Sequence, residues 1–380
     1  MNFDFSELQK EFANQVGRAL AKTCPMSEVR RVADQGATYS RAAWLALGEL
    51  GAVGAGVPEE FGGVGLGVLE SCVVAEQIGR ALAPVPFLSS AGIVIPALLR
   101  YGSEKQKERW LPDLASGFVI GCLADTERPG QVSPKTVSTR FEAGRIIGQK
   151  PVVFDGMAAG IAVVLAKDEG DMPCLCLVDL DQPTVTRERV MSIDAATSVA
   201  SLSFKDAKAE KLEGQADWSS YLRLLDAAAV LAAFEALGAA ESALAAALGY
   251  SKQRKAFGRD IASYQSIKHK LARGYVNIQI ARANCYFAAW AVSAGDAAIR
   301  TAASAALLSA LDAFSYASRE NNQVHGGVCF TWEADCHFFY KRAKVLATRL
   351  GAPSEWKARL VENLIADVRV GNEDRALIGA

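Results

Sequence analysis

Residues 250–259 read YSKQRKAFGR, a basic run that closes one helical pattern and leads into another. The flanking segments, 218–253 and 263–294, carry apolar residues at helical spacing with a high content of Ala. Segments 297–323 and 354–367 continue the same spacing toward the end of the chain. Segments of this length predict an antiparallel helix bundle.

The spacing of apolar residues changes twice before the bundle segments. Between residues 118 and 210, short β-rich runs such as Ile161–Leu165 alternate with Gly, Asp and Pro, which predicts an antiparallel sheet or barrel. From Asp4 to Ser116 the apolar residues return to helical spacing. The sequence therefore predicts a mainly α protein of the α+β class. Its predicted domains are an N-terminal helical domain at residues 1–116, a central β-domain at 117–214 and a C-terminal bundle at 215–380.

The charge balance excludes several classes of partner. Lys and Arg number 41 against 42 Asp and Glu, so no net positive field recruits nucleic acid or an anionic membrane. The longest apolar stretch, Asp226–Tyr250, is interrupted by Glu235 and Glu241, which favours a helix buried in protein over one in lipid. We predict no nucleic-acid partner and no membrane span.

The cysteines and histidines give no metal-binding pattern. The eight cysteines are scattered without C-x-x-C spacing, and the three histidines match no ligand motif, so no metal site is predicted. Reduced thiols and an acidic N-terminus without a signal-peptide pattern favour a cytoplasmic protein.

Two stretches have the residue types of a binding site. In the first, Arg254 stands at a helix end beside Phe257 and Gly258, where a guanidinium can grip a phosphate and an aromatic ring can cover a sugar or base. A solvated basic helix end explains the same residues. In the second, Gly326 and Gly327 interrupt a helical pattern, which permits close approach of a ligand but also fits a plain turn.

These stretches, with five others, resemble the FAD-dependent acyl-CoA dehydrogenase family in the family's order, from about Leu8 to Arg359. The H-G-G-x-x-F-T-W-E form at residues 325–333 is similar to a branch that includes heteromeric enzymes. The matching segments are the P-E-E-x-G-G-x-G loop at Pro58, residues 101–107, Thr126-Glu127, Gly148-Gln149-Lys150, Arg254 to Gly258, Gln265, and Gln323 to Glu333.

The resemblance implies a fold, a cofactor and partners. It implies a helical N-terminal domain, a small antiparallel β-barrel and a C-terminal four-helix bundle that together hold FAD. It also implies an acyl-CoA substrate, an electron-transferring flavoprotein as oxidant, and a homotetramer or a heterotetramer with a related subunit. The residues that it implies for FAD binding are Thr126, Arg254, Phe257, Gln265, Gln323, Gly326 and Gly327, several of which reach FAD bound mainly by a neighbouring subunit.

The family reaction removes an α-proton onto a carboxylate, while the β-hydrogen leaves as hydride to the flavin. The triplet that usually carries the catalytic Glu is Arg349-Leu350-Gly351 here, so the usual base is missing. The backbone N–H of Leu350 can still donate to the thioester carbonyl, because this donor does not depend on the side chain. The alternative family position falls on Ala228. The nearest carboxylates are Asp226 and Glu235, which are either relocated bases or, respectively, a helix-start acid and a buried ion-pair partner.

The flavin-side segment departs from the family as well. The serine and glycine that usually meet the flavin are displaced in residues 126–133, and Val152 and Phe154 replace the usual aromatic and Thr. Two principal functions stay open: a dehydrogenase with a relocated base, and a catalytically silent partner subunit that completes FAD sites of a related chain. A base-independent flavin reaction on an acyl-CoA is the remaining alternative.

Overall fold

The computed structural model describes residues 5–128, 130–214 and 216–378, with side chains as far as residue 366. Pro129 of the flavin-side segment and the extreme ends of the predicted first and last domains lie outside the described residues.

Helices fill the chain before residue 117. Ser6 and Ser103 cap α1 and α7, and each cap is completed by a Gln three residues later that bonds back to the cap N–H. A π-helical segment at residues 90–94 joins α5 to α6 and exposes no residue to solvent. The helices are α1 (Glu7–Thr23), α2 (Met26–Gln35), α3 (Arg41–Glu49), α4 (Val68–Arg80), α5 (Phe87–Ser89), α6 (Ile95–Tyr101) and α7 (Glu104–Ser116).

The middle of the chain forms one sheet. Its order is β6-β7-β3-β2-β4-β5-β8, with β1 paired to β4. Strand β4 is buried along almost its full length, so both faces of the sheet are covered there, and this explains its unbroken apolar sequence. The strands are β1 (Gly121–Ala124), β2 (Arg140–Glu142), β3 (Arg145–Phe154), β4 (Ile161–Lys167), β5 (Pro173–Asp179), β6 (Val185–Val190), β7 (Val199–Lys208) and β8 (Glu210–Lys211).

The sheet is mixed, whereas the sequence predicted antiparallel pairing. Most neighbours are antiparallel, but β1 and β2 each lie parallel to β4. Parallel strands need a long crossover, and the β2–β3 hairpin lies in the connection between β1 and β4. Apolar alternation identifies a strand but does not fix its direction, so the sequence pattern could not reveal this pairing.

The C-terminal part is again helical. Two short strands, β9 (Lys255–Ala256) and β10 (Arg259–Asp260), form a hairpin between its first two long helices. Those elements confirm the predicted α+β class, while the domain boundaries stay a prediction. The helices are α8 (Trp218–Gln253), α9 (Gln265–Ala294), α10 (Ile299–His325), α11 (Cys336–Leu346) and α12 (Pro353–Ile378).

Helix α8 joins the N-terminal helices to the bundle through a very close contact with α4. A Cβ added at Gly238 would overlap the carbonyl oxygen of Glu76, and one added at Gly79 would overlap that of Glu235. Only glycine allows two backbones to approach so closely. This contact fixes the depth at which α8 is buried.

Within the described residues, every helix is too short or too polar to span a membrane. All eight cysteines are free and buried. The same residues contain no group of three or more His, Cys, Asp or Glu side chains arranged to hold a metal ion.

Two glycine-to-alanine substitutions in α8 should change the free energy of unfolding in opposite directions. Gly238→Ala should lower the free energy of unfolding by roughly 1–3 kcal/mol, because the added methyl group forces α4 and α8 apart. Gly249→Ala, where the methyl group meets open space, should raise it by about 0.5–1 kcal/mol through helix propensity. Urea unfolding followed by circular dichroism measures both, and equal effects would contradict the close contact.

Candidate active site

A cavity of about 800 Å³ lies where the sheet meets the bundle. Such a volume suits a cofactor or a mid-sized ligand. Its walls come from the segment after β1, the end of β3, the first turns of α8, the loop 348–352 and the start of α12, with Ser89 and Ile93 contributed by the N-terminal helices.

A buried ion pair positions the sheet-side wall. Lys150 Nζ lies 2.7 Å from Glu127 Oε1 and donates to the carbonyl oxygen of Leu165 at 2.6 Å, with no exposure of the Lys side chain. Glu127 also accepts from the backbone N–H groups of Ser138 and Thr139, at 2.7 and 3.0 Å. The two motifs that sequence analysis read separately, at 126–127 and 148–150, are therefore bonded to each other.

The ion pair sets the pKa values of both partners. Burial alone would raise the pKa of Glu127, but Lys150 and the hydrogen bonds from Ser138 and Thr139 hold it at about 2. Burial lowers the pKa of Lys150, and Glu127 opposes that effect. The pair fixes the neighbouring Thr126, which pairs with Val152 across the cavity wall.

Asp226 brings a carboxylate into the cavity from α8. Its Oδ2 accepts from Arg359 Nη2 at 2.7 Å, whereas its Oδ1 is buried and has no hydrogen-bond partner in the described structure. Burial raises the pKa of Asp226 to about 6, against the lowering effect of Arg359 and Arg300. A carboxylate with a free oxygen and a pKa near neutrality is suited to accept a proton.

The helix-start explanation for Asp226 is wrong. Helix α8 begins at Trp218 and is capped by Asp217, whose side chain accepts from the N–H of Ser220 at 2.9 Å. Asp226 therefore lies more than two turns inside the helix. The helix dipole acts mainly within the first turn, so it does not explain a buried acid at this depth.

Glu235 and Asp226 lie on the same helix but in different environments. Glu235 lies outside the cavity lining, and its Oε1 is 4.0 Å from Arg342 Nη1, while Nε of the same arginine pairs with Asp194. Burial raises the pKa of Glu235, and Arg349 and Arg342 lower it. This environment supports the ion-pair interpretation of Glu235 over the catalytic one.

The loop that replaces the family triplet lines the cavity. Leu350 offers no side-chain proton acceptor there, and its carbonyl oxygen accepts from Trp356 Nε1 at 2.9 Å. The neighbouring Arg349 pairs with Asp155 and donates to Ser89 Oγ at 3.0 Å. Sequence analysis missed the roles of Arg349 and Arg359, because their partners lie 194 and 133 residues away along the chain and no local spacing connects them.

The segments expected to touch FAD meet at one end of the bundle. The ring of Tyr250 stacks on His325 with centroids 4.1 Å apart, and the N–H of Ile261 donates to the carbonyl oxygen of Arg254 at 2.9 Å. A small cluster around Ala247, Leu271 and Val324 packs these segments together. The predicted FAD residues at this end are all exposed: Arg254, Phe257, Gln265, Gln323, Gly326 and Gly327.

This exposed end is far from the cavity. Asp226 and Arg254 lie 28 residues apart on and just past α8, a separation of roughly 40 Å at 1.5 Å per residue. Thr126 lines the cavity, whereas the other six predicted FAD residues do not. Phe257 has a left-handed backbone, with a φ of 51°, and a side chain that is 98% exposed, a costly conformation for a bulky residue.

Two family models match the chain. The model of the acyl-CoA dehydrogenase N-terminal domain covers residues 6–118, and that of the C-terminal domain covers residues 218–361. The acyl-CoA dehydrogenase IpdE2 of Mycobacterium tuberculosis is 31% identical over 346 residues, which is 91% of this chain and 93% of that protein.

Solved structures are also similar to this chain over nearly its whole length. The ChsE4–ChsE5 complex of Mycobacterium tuberculosis is similar with a TM-score of 0.88 and 25% identity, over 96% of this chain and 99% of the matched one. Butyryl-CoA dehydrogenase of Megasphaera elsdenii has the same TM-score and identity, over 96% and 100% of the two chains.

The ion pair beneath Thr126 predicts an acid-sensitive stability. Glu127→Gln should lower the free energy of unfolding by roughly 3–5 kcal/mol at pH 7, because it leaves Lys150 buried without a counter-charge. The depressed pKa means that this contribution is complete above pH 4.5 and is lost as the pH falls toward about 2. Unfolding curves at several pH values test this, with the exposed Glu60→Gln as control; equal stability of the two variants at pH 7 would contradict it.

Proposed function

Because the chain belongs to the acyl-CoA dehydrogenase family, we propose that it oxidises an acyl-CoA to a 2-enoyl-CoA with FAD bound in its cavity. The observation that carries this proposal is Asp226, a residue that lines a cavity of ligand size and whose buried Oδ1 has no hydrogen-bond partner among the described residues. The family is FAD-dependent, and this supports FAD as the cofactor of the chain.

An apolar surface and a hydroxyl group in the cavity lining support the binding of a flavin ring. Val152 is 38% exposed although it lines the cavity, so an apolar surface is available for a flat ring. Thr126 lies beside it, with its hydroxyl bonded to Asp125 Oδ1 at 3.0 Å. We propose Thr126 as the residue of this subunit that contacts the flavin. When bound, FAD supplies an acceptor for the β-hydrogen as hydride.

Asp226 is the proposed proton acceptor. Its Oδ1 takes the α-proton as the C–H bond breaks, and Arg359 keeps Oδ2 fixed so that Oδ1 stays directed away from the ion pair. The backbone N–H of Leu350 is the proposed donor to the thioester carbonyl, where negative charge develops. These roles require the carboxylate form of Asp226.

The exposed end of the bundle supports a tetramer in which neighbouring subunits share FAD sites. Arg254, Phe257 and Gln265 lie too far from their own cavity to touch FAD there. We propose that these residues, together with Gln323, Gly326 and Gly327, contact FAD of a neighbouring subunit in a tetramer. An electron-transferring flavoprotein is the proposed oxidant.

The role of Asp226 predicts a specific loss of function. Asp226→Asn should slow bleaching of the bound flavin by acyl-CoA at least a hundredfold, because the amide cannot accept the proton. Glu235→Gln should retain the reaction, since that carboxylate lies outside the cavity. Stopped-flow absorbance near 450 nm measures both rates, and full activity of Asp226→Asn would refute this assignment.

The pH dependence supplies an independent test. Only ionised Asp226 accepts a proton, so kcat/KM should fall as the pH decreases through about 6. A profile measured between pH 5 and 8 should lose this step in Asp226→Asn. A wild-type profile that is flat over this range would exclude Asp226 as the base.

A second function is supported by Leu350 at the usual base position. In this alternative the chain is a silent partner that completes FAD sites of a related subunit. The similarity to a chain of the ChsE4–ChsE5 complex supports it.

The flavin content of the purified chain separates the two functions. A dehydrogenase that works as a homotetramer should purify with about one FAD per subunit. A partner subunit should purify nearly colourless and gain FAD only when produced with a related chain. Arg254→Ala should lower the FAD content in either assembly, because a phosphate contact is lost.

A further inference from the structure

Arg349 places a positive charge in the cavity wall, next to Leu350, whose backbone N–H is the proposed donor to the thioester carbonyl. Its Nη2 donates to Ser89 Oγ at 3.0 Å and pairs with Asp155 Oδ2. The guanidinium carbon lies 5.5 Å from the centre of the Phe154 ring. These partners come from α5, the end of β3 and the residue after it, so the side chain is held from three directions.

The guanidinium keeps donors for a ligand. Arg has five N–H donors, and among the described residues both hydrogen bonds of Arg349 leave from Nη2. The Nε and Nη1 groups therefore have no protein acceptor in the described structure. Arg349 lines the cavity although its side chain is only 10% exposed. Nε and Nη1 are therefore the donors of this side chain that are left for a ligand in the cavity, and burial has already removed most of the water around the side chain.

A plain hydrocarbon chain is a poor match for this wall. It would displace the remaining water from Nε and Nη1 without replacing the hydrogen bonds, and unsatisfied charged donors are costly. A carboxylate or carbonyl oxygen replaces that water, and a carboxylate matches the fork of the guanidinium in geometry and charge. Asp155 pairs with Nη2, and Glu235 lies near enough for Arg349 to lower its pKa, but neither carboxylate accepts a hydrogen bond from Nε or Nη1 in the described structure.

We infer that the cavity selects acyl groups that carry an oxygen acceptor, a carboxylate or a carbonyl, which binds Nε and Nη1 of Arg349. The inference rests on the proposed function, since it takes this cavity as the acyl site. Arg349 is then the residue that determines substrate class, while Asp226 acts at the α-carbon.

Binding of matched acyl-CoA pairs tests the inference without turnover. The pairs are butyryl/succinyl, hexanoyl/adipyl and octanoyl/suberyl-CoA, which differ in a terminal carboxylate, with 5-oxohexanoyl-CoA as the neutral acceptor. Isothermal titration of the FAD-loaded assembly, with its flavin first reduced by dithionite so that it accepts no hydride, should show at least one carboxylated or keto ligand binding about tenfold or more tightly than its alkyl match. Equal or tighter binding of every alkyl ligand would overturn the inference.

Substitutions locate the source of the preference. Arg349→Met should abolish it, and Asp155→Asn/Arg349→Met removes both charges so that no buried carboxylate is left unpaired. Asn suits position 155, where φ is 61°. The matched control is Arg300→Met, an exposed cavity arginine that should keep the preference. A preference that survives in the double variant, or vanishes in Arg300→Met, refutes the assignment.

The two proposals fail independently. If the preference is present but Asp226→Asn still reduces flavin, the substrate class stands and the assignment of the base is wrong. If flavin is reduced equally well by alkyl and carboxylated ligands of each pair, the dehydrogenation stands and the role of Arg349 is wrong.

Discussion

The backbone contact between α4 and α8 is the constraint on which the other features depend. Gly79 and Gly238 let the two helices approach until any side chain would overlap the opposing carbonyl oxygen. Helix α8 is buried without interruption from Leu224 to Ala240, where nearly every residue is apolar or small. A helix buried this deeply can place a carboxylate beneath the surface, where water does not stabilise its charge. The raised pKa of Asp226 is thus a consequence of packing.

Three ion pairs hold the cavity walls, and each joins elements distant in sequence. Lys150–Glu127 fixes the sheet side, Arg359–Asp226 ties α12 to α8, and Arg349–Asp155 ties the loop after α11 to the end of β3. A buried pair is costly to form but costlier to break on one side. The arrangement therefore adds less to total stability than to the precision with which Thr126, Asp226 and Arg349 face one space.

The sequence predicted the helical and strand regions well because their periodicities are local. It could not give the parallel pairing of β1 and β2 with β4, since strand direction depends on the path of the connection. Sequence analysis yielded Asp226 and Glu235 as two equivalent candidates for the base, because both lie on the same helix. Only tertiary packing distinguishes them. Arg349 appeared in the sequence as a departure from a motif. Its partners Ser89 and Asp155, which give that departure a chemical role, come from segments 260 and 194 residues away.

The length of α8 decides how one subunit can take part in two sites. Asp226 lies in its first third, whereas Arg254 follows its last residue, roughly 40 Å farther along. No side-chain movement bridges that distance, so a flavin in the cavity and a flavin at the exposed end of the bundle must be different molecules. Phe257 is 98% exposed and has a left-handed backbone conformation, which costs free energy. A contact supplied by a neighbour would offset it. A single chain would then contribute the residues around Asp226 to one FAD site and the residues around Arg254 to another. Loss of the usual Glu in one type of chain would leave its contribution around Arg254 intact.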